Sequence, residues 1–391
     1  MSQVASRRSE VRGHTSAIIF IALCMISVAW AQEPPTITIS KGDRINLTVS
    51  PITGGEGAAV TKTLQKDLSL SGYFTLSGNA AYIVRGSASG GNLEGHVVDH
   101  GGGTVLSKTY NGSARENAHR FADDIIETLT GNKGFASSKI AFIATRSGKK
   151  EVYVADYDGS NARQMTHDGV ISVHPSISPD GRRIAYTGYQ SGYPDVYMID
   201  LASGARNKIV DFPGTNSGAS FSPDGNRVAL TVSKDGNPEL YTVSSGGGSA
   251  RRLTRTHGVE SSPSWSPNGD EIVYSYDDGG GPQLFRISAG GGSGQPISTG
   301  RSYCTEPNWS PDGKKIAFNV RAGGGFEVAI VDAGGGGTRT ICSGENPVWG
   351  PDSRHLMFTE GDGLYMVDTV NARRSKILDG LGRITEPSWS H

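Results

Sequence analysis

From residue 140 onward the apolar residues come in short runs, and the runs recur. One set is Ile184-Ala185-Tyr186, Val228-Ala229-Leu230, Ile272-Val273-Tyr274, Ile316-Ala317-Phe318 and Leu356-Met357-Phe358. A second set follows each of these at residues 196–199, 240–243, 284–287, 328–331 and 364–367, and a more polar run follows that. Ahead of each first run stands a marker of the form Pro-x-Trp-Ser-Pro-Asp-Gly, centred on Ile177, Phe221, Trp265, Trp309, Trp349 and Trp389. The marker spacing is 44, 44, 44, 40 and 40 residues. In the Pro-Asp-Gly turn, proline pre-sets φ and glycine takes the positive φ that other residues resist. Each period therefore predicts four strands, with the charged one at an outer edge where charge opposes sheet-to-sheet pairing.

The ends of the repeat give the count. Residues 140–142 and 152–154 are a second and third strand without a marker strand before them, and the strand around Trp389 has no second strand after it. Together they complete one unit. The prediction is a mainly β chain whose residues 138–391 form a six-bladed β-propeller of WD40-like (PD40) repeats, closed by its last strand.

Residues 32–133 follow another pattern. Val60, Leu64 and Leu68 sit four apart and predict an amphipathic helix, with Gly72 beyond its end. Ser113-Ala114-Arg115-Glu116 reads as a capping box opening a second helix that buries Phe121, Ile125, Ile126 and Leu129 and stops at Gly131. Short strands are predicted at 74–76, 82–84, 96–99 and 105–110, giving a small α/β domain. The first 31 residues stand apart: Arg7, Arg8 and Arg12, then an apolar stretch at 17–29, then Ala29-Trp30-Ala31. This is the pattern of a secretory signal peptide cleaved after Ala31, so the mature chain is expected outside the cytoplasm and not spanning the membrane.

Net charge is −1, which removes the basic field that nucleic acid would select. No Gly-x-Ser-x-Gly, His-Glu-x-x-His or paired Cys-x-x-Cys occurs, so neither a hydrolase elbow nor a zinc site is expected, nor any cofactor. Residues 156–161 faintly resemble a calcium loop, but His167 stands where the twelfth ligand belongs, and a hairpin turn is the reading adopted. Cys304 and Cys342 lie in loops entering adjacent repeats; two free thiols are expected, with a bridge open on geometry. The remaining constellation sits where the chain enters each marker strand: His174, Asn216 with Ser217, Glu260 with Ser261, Thr305 with Glu306, Glu345 with Asn346, and Thr385 with Glu386. Repetition would gather them at one mouth of the central channel, either as a solvated rim or as an acidic surface for a partner or an ion.

Several stretches resemble one family closely. They are Asp67-Leu68 leading to Ser71-Gly72-Tyr73-Phe74, Val98-Asp99, Gly103-Thr104-Val105-Leu106, Leu129-Thr130-Gly131-Asn132-Lys133-Gly134 and Ala155-Asp156-Tyr157-Asp158-Gly159. With the leader and the repeats they resemble the TolB family, periplasmic components of the Tol-Pal system of Gram-negative envelopes. The resemblance implies a periplasmic, monomeric, non-catalytic adaptor that supports outer-membrane integrity and cell division. It implies binding of the peptidoglycan-associated lipoprotein Pal at the propeller mouth. It also implies contact with TolA through the extended segment containing Thr36, Ile37, Thr38 and Ile39. Two positions depart from the family: Thr215 stands where a histidine is common, and Pro34-Pro35 replace an acidic-apolar start. The readings that compete with an adaptor are an exported propeller for a small ligand or glycan, and an accessory or remnant of a peptidase.

Overall fold

A computed structural model describes residues 44–78 and 80–391. The leader at 1–31, with its cleavage site, and the segment Thr36, Ile37, Thr38 and Ile39 lie outside the described residues. The N-terminal part runs β1 (Ile45–Val49), α1 (Gly57–Leu70), β2 (Phe74–Leu76), β3 (Tyr82–Ser89), β4 (Asn92–Asp99), β5 (Thr104–Asn111) and α2 (Ala114–Thr130). The strands form one sheet in the order β2-β1-β3-β4-β5, with β1 parallel to both neighbours and the other pairs antiparallel. Val60, Leu64 and Leu68 of α1 and Phe121, Ile125 and Ile126 of α2 are buried in one core with the sheet. The predicted capping box is present: Ser113 Oγ accepts from Glu116 N at 3.3 Å, and Glu116 Oε2 accepts from Ser113 N at 3.0 Å.

Sequence reading missed β1 and cut β3 and β4 short. Glycine is the reason for the second error. Gly86 and Gly95 pair across the two strands, and glycine inside a strand weakens the sequence signal for it. Gly95 lies beneath α2, where a Cβ would stand 2.7 Å from the Phe121 ring, so the strand needs glycine to let the helix pack.

The propeller has six four-stranded antiparallel blades. Blade one joins the chain's two ends, Ile384–Trp389 pairing with Lys139–Ala144, followed by Glu151–Asp156 and Arg163–Gln164. The innermost strands of blades two to six are Ser172–Ile177, Asn216–Phe221, Val259–Trp265, Cys304–Trp309 and Glu345–Trp349. Trp265, Trp309, Trp349 and Trp389 are all buried at equivalent positions. Each Ser-Pro-Asp/Asn-Gly turn is braced by its serine. Ser178 Oγ donates to Asp180 and accepts from Arg183 N at 2.9 Å, and Ser222, Ser266 and Ser310 do likewise. The fifth marker carries Gly350 instead of serine. A Cβ there would lie 2.8 Å from the Trp389 ring, so the closing tryptophan excludes a side chain.

The N-terminal part packs on the turn side of blades one and six. The turn after Glu151–Asp156 inserts Tyr157, which is fully buried and donates to Asp67 Oδ1 of α1 at 2.8 Å. The calcium-like carboxylates of that turn are ion-paired within the protein, Asp158 to Lys66 and Arg115, and Asp156 to Arg115 and Lys139. Both cysteines are free, but their placement differs from expectation. Cys304 begins the innermost strand of blade five, and Cys342 lies in that same blade's outermost strand, Arg339–Ser343.

Candidate partner-binding site at the propeller mouth

Every innermost strand carries a bulge near its start. The bulged residues are His174, Gly218, Ser262, Glu306, Asn346 and Glu386, all at positive φ between 50° and 69°. Five of them precede proline, which ordinarily holds its predecessor in extended backbone. Non-glycine residues kept in this region cost about 1 kcal/mol or more each, and such outliers gather at functional sites. The bulge turns these six positions towards a cavity of about 360 Å³ at the channel mouth, which they all line.

The predicted rim residues therefore belong to three different registers. Those on the bulge, His174, Glu306, Asn346 and Glu386, form a belt across four blades, which Ser217 extends to a fifth. His174 Nδ1 lies 3.2 Å from Ser217 Oγ, the His174 backbone N–H donates to Glu386, and Glu386 N donates to Asn346 Oδ1 at 3.4 Å. Asn346 Nδ2 in turn donates to Glu306, which also accepts from Asn319 Nδ2 at 2.9 Å. Burial holds the Glu306 carboxyl above its usual range, against the pull of these amides. Ser261 lines the same cavity. Thr305, Glu345 and Thr385 sit one residue before the bulge and do not line it; Glu345 pairs with Arg383 at 3.3 Å.

Two predicted contacts are not surface groups. Asn216 is fully buried and donates to the carbonyls of Phe212 at 2.7 Å and Pro194 at 3.2 Å, pinning the loop that enters blade three. Glu260 touches the cavity wall but is also fully buried, accepting from Thr256 Oγ1 at 2.6 Å. Burial, with the nearby Glu239 carboxylate adding repulsion, pushes the Glu260 carboxyl up to about 7. A folded-state value raised above the unfolded one makes stability rise as pH falls through about 7, and the gain is complete near the unfolded value. We predict that Glu260→Gln flattens the stability profile between pH 8 and 5 by about 2–3 kcal/mol relative to the parent. Parallel urea melts of parent and variant across that range test this; identical slopes would refute it.

Sequence reading sought polar residues in the entry loops and missed an apolar component. Among the described residues the exposed large hydrophobics are Val105, Ile171, Tyr189, Tyr193, Val259 and Val370, and four of these stand on the mouth face. Ile171 and Tyr189 are neighbours, joined by a backbone hydrogen bond of 3.2 Å, and Tyr193 is 71% exposed on the same hairpin. Two tyrosines in a solvent-facing hairpin, Tyr189-Gln190-Ser191-Gly192-Tyr193, were the available signal. Deeper in, Ser176, Ser220, Ser264, Asn308, Val348 and Ser388 form a waist shared with a second cavity of about 230 Å³ towards the turn face. Several of them bridge blades, as where Ile177 N donates to Ser388 Oγ at 3.0 Å and Trp349 N to Asn308 Oδ1 at 2.8 Å.

No group of three or more His, Cys, Asp or Glu side chains able to hold a metal ion is present among the described residues. Comparison with known proteins points one way. Over 92 residues the chain is 42% identical to "Protein TolB homolog" of Chlorobaculum tepidum, 23% of this chain and 21% of that one. Over 206 residues it is 35% identical to "Tol-Pal system protein TolB" of Geobacter metallireducens, 42% of this chain and 48% of that one. The matched segments thus span at most about half of these relatives. A crystal structure of TolB from Acinetobacter baumannii superposes with a TM-score of 0.79 at 26% identity, covering 89% of this chain and 97% of that one. The family profile described as "TolB beta propeller domain" matches residues 126–391, well over half of the sequence, and the chain belongs to that family.

Proposed function

We propose that this protein is a periplasmic adaptor of a Tol-Pal-type envelope complex that binds a Pal-like lipoprotein at the propeller mouth. The observation that carries the reading is the coincidence, on one face of a TolB-family propeller, of a concave mouth lined by the polar bulge residues and an exposed apolar rim. A protein partner would seat apolar side chains on Ile171, Tyr189, Tyr193 and Val259. It would send donors or basic groups towards Glu306 and Glu386, with His174, Ser217, Ser261 and Asn346 supplying polar contacts. Aromatic anchors carry most of the energy in such interfaces, and rim charges carry little. Asn216 and Glu260, both buried, brace this surface, and Thr305, Glu345 and Thr385 stand next to the bulge outside the cavity. TolA contact through the N-terminal segment belongs to the same proposal, as does a role in envelope integrity and division.

Calorimetry with the purified mature protein and the soluble domain of the same organism's Pal-like lipoprotein tests it. Tyr193→Ala is expected to weaken binding about tenfold or more with an unchanged melting temperature. Asp180→Ala, in a turn on the other face, is expected to leave affinity alone. Equal affinity in all variants would move the site elsewhere. Absence of binding would favour a small ligand or glycan, the second reading, which the 360 Å³ chamber supports.

A further inference from the structure

Another cavity, of about 540 Å³ and remote from the mouth, opens between the first half of α2 and the outer strands of blade one. Its floor is Ala136, Val154, Ala155 and the buried ring of His119. Its walls carry Arg115, Arg120, Lys139 and Arg163; the carboxylates of Glu116 and Asp156 share the lining, and Asp158 reaches Arg115 from behind. These three acids are already engaged, Glu116 in the helix cap, Asp156 by Arg115, Lys139 and Asn161, and Asp158 by Arg115 and Lys66, which leaves Arg120 and Arg163 as the cations without an acidic partner. The start of α2 faces the same space, adding the partial positive charge of a helix N-terminus. One feature points to a ligand in its own right. His119 is 4% exposed and is held by its Nδ1 at 2.8 Å from Asp67; the residue lines this cavity, and its buried Nε2 has no hydrogen-bond partner. A buried polar nitrogen without a partner is costly unless something fills the site.

The geometry points to this cleft as a binding site for a small, multiply charged oxyanion. The ligand carries carboxylate or phosphate oxygens, one of which accepts a hydrogen bond from His119 Nε2. Arg163 and Arg120 reach it from opposite walls. Arg163 has a single hydrogen bond, to the Leu201 carbonyl at 3.0 Å, and Arg120 is bound only by the neutral acceptors Asn111 O and Asn117 Oδ1, so both retain unused donors for an anion. The imidazole must carry hydrogen on Nε2 to donate, so the bound form is the imidazolium or the tautomer in which Asp67 holds the other proton. Because the cleft joins the two domains, a ligand there ties them together independently of any partner at the mouth.

The probes are citrate and inorganic phosphate, titrated separately into the mature protein labelled with ¹⁵N-histidine, with sodium chloride at matched ionic strength as reference. A saturable shift of the His119 Nε2 resonance is expected with at least one anion, and the stronger of the two identifies carboxylate or phosphate as the preferred chemistry. Arg163→Gln, and separately Arg120→Gln, should weaken that binding about tenfold each while the melting temperature of the free protein holds. Using both arginines guards against one variant that fails to fold. A response matched by chloride, no saturable response to either anion, or full affinity in both variants would each overturn the assignment.

Discussion

Removing residues 387–391 is expected to abolish the folded propeller, a far larger effect than five terminal residues ordinarily have. The segment supplies the last ladder pairs of blade one, Ser388 opposite Ala141 and Trp389 opposite Ile140. Ser390 exchanges bonds with Lys139 at 2.9 Å in each direction, and Ser388 Oγ ties blade one to blade two through Ile177 N. Trp389 is buried, meets Phe135 edge-on at a centroid distance of 5.6 Å and donates from Nε1 to Ser138 Oγ at 2.6 Å. Truncating a buried tryptophan alone costs about 3–5 kcal/mol. The truncation also leaves residues 139–141 as an unpaired strand edge and frees an inter-blade face, with Ile384 and Thr385 alone still holding the ring. The sum approaches the entire stability of a typical domain, about 5–15 kcal/mol. Trp389→Ala should therefore fold with a lowered melting point, because the backbone closure survives, whereas the truncated chain should lose its cooperative transition. A truncated chain that melts within a few degrees of the parent would show that closure contributes nothing.

The blade count was legible because the marker places one proline, one aromatic and one tight turn per period, each fixed by backbone chemistry. The mouth was legible only in part, for a stereochemical reason. The polar residues before the markers look equivalent in sequence, but a bulge separates neighbouring positions, and the residue at positive φ is the one that faces the cavity in all six blades. Asn216 and Asn346 are both asparagines near a marker; one is a buried strut and the other belongs to the mouth belt. Their difference lies in φ, and its trace in the sequence is position: Asn346 stands three residues before Trp349, as every bulge residue does before its marker, whereas Asn216 stands five before Phe221. Proline after the residue was the usable clue: His174, Ser262, Glu306, Asn346 and Glu386 all precede one.

Departures from the repeat carried unread information about the domain interface. Only the fifth marker replaces Ser and Gly of its turn, with Gly350 and Ser353, and the N-terminal part sits on that turn. Tyr73 lies under the Arg354 guanidinium at 4.3 Å and donates to Asp352 at 3.4 Å, while Arg354 is paired with Asp368. Likewise the calcium-like string at residues 156–161 is acidic because two cations, Lys66 and Arg115, arrive from the other domain. Partners from a distant segment leave no local trace in a sequence.

Asp67→Ala is expected to destabilise the contact between the domains by about 3 kcal/mol or more. The carboxylate is 1% exposed and receives Tyr157 OH from the propeller and the His119 ring from α2, each at 2.8 Å. Deleting it leaves two buried polar groups without an acceptor, and the penalty for orphaned partners exceeds the value of the bonds themselves. Burial raises the Asp67 carboxyl while its two donors lower it, so Asp67→Asn, which keeps an acceptor for Tyr157, should recover part of the loss. The surrounding ion pairs add a pH signature. Arg115, with Lys66 and Lys139, holds Asp158 and Asp156 below the usual carboxylate range. Folded-state values depressed in this way give stability that is present above the unfolded value near pH 4 and is lost as pH falls below it. Scanning calorimetry should therefore show one transition for the parent at pH 7. The Asp67→Ala protein at pH 7 should show two, the first from the N-terminal part, and that first transition should move to lower temperature again at pH 3.5. A single transition for the variant at the parent's temperature would mean that the Tyr157 plug contributes nothing to joining the domains.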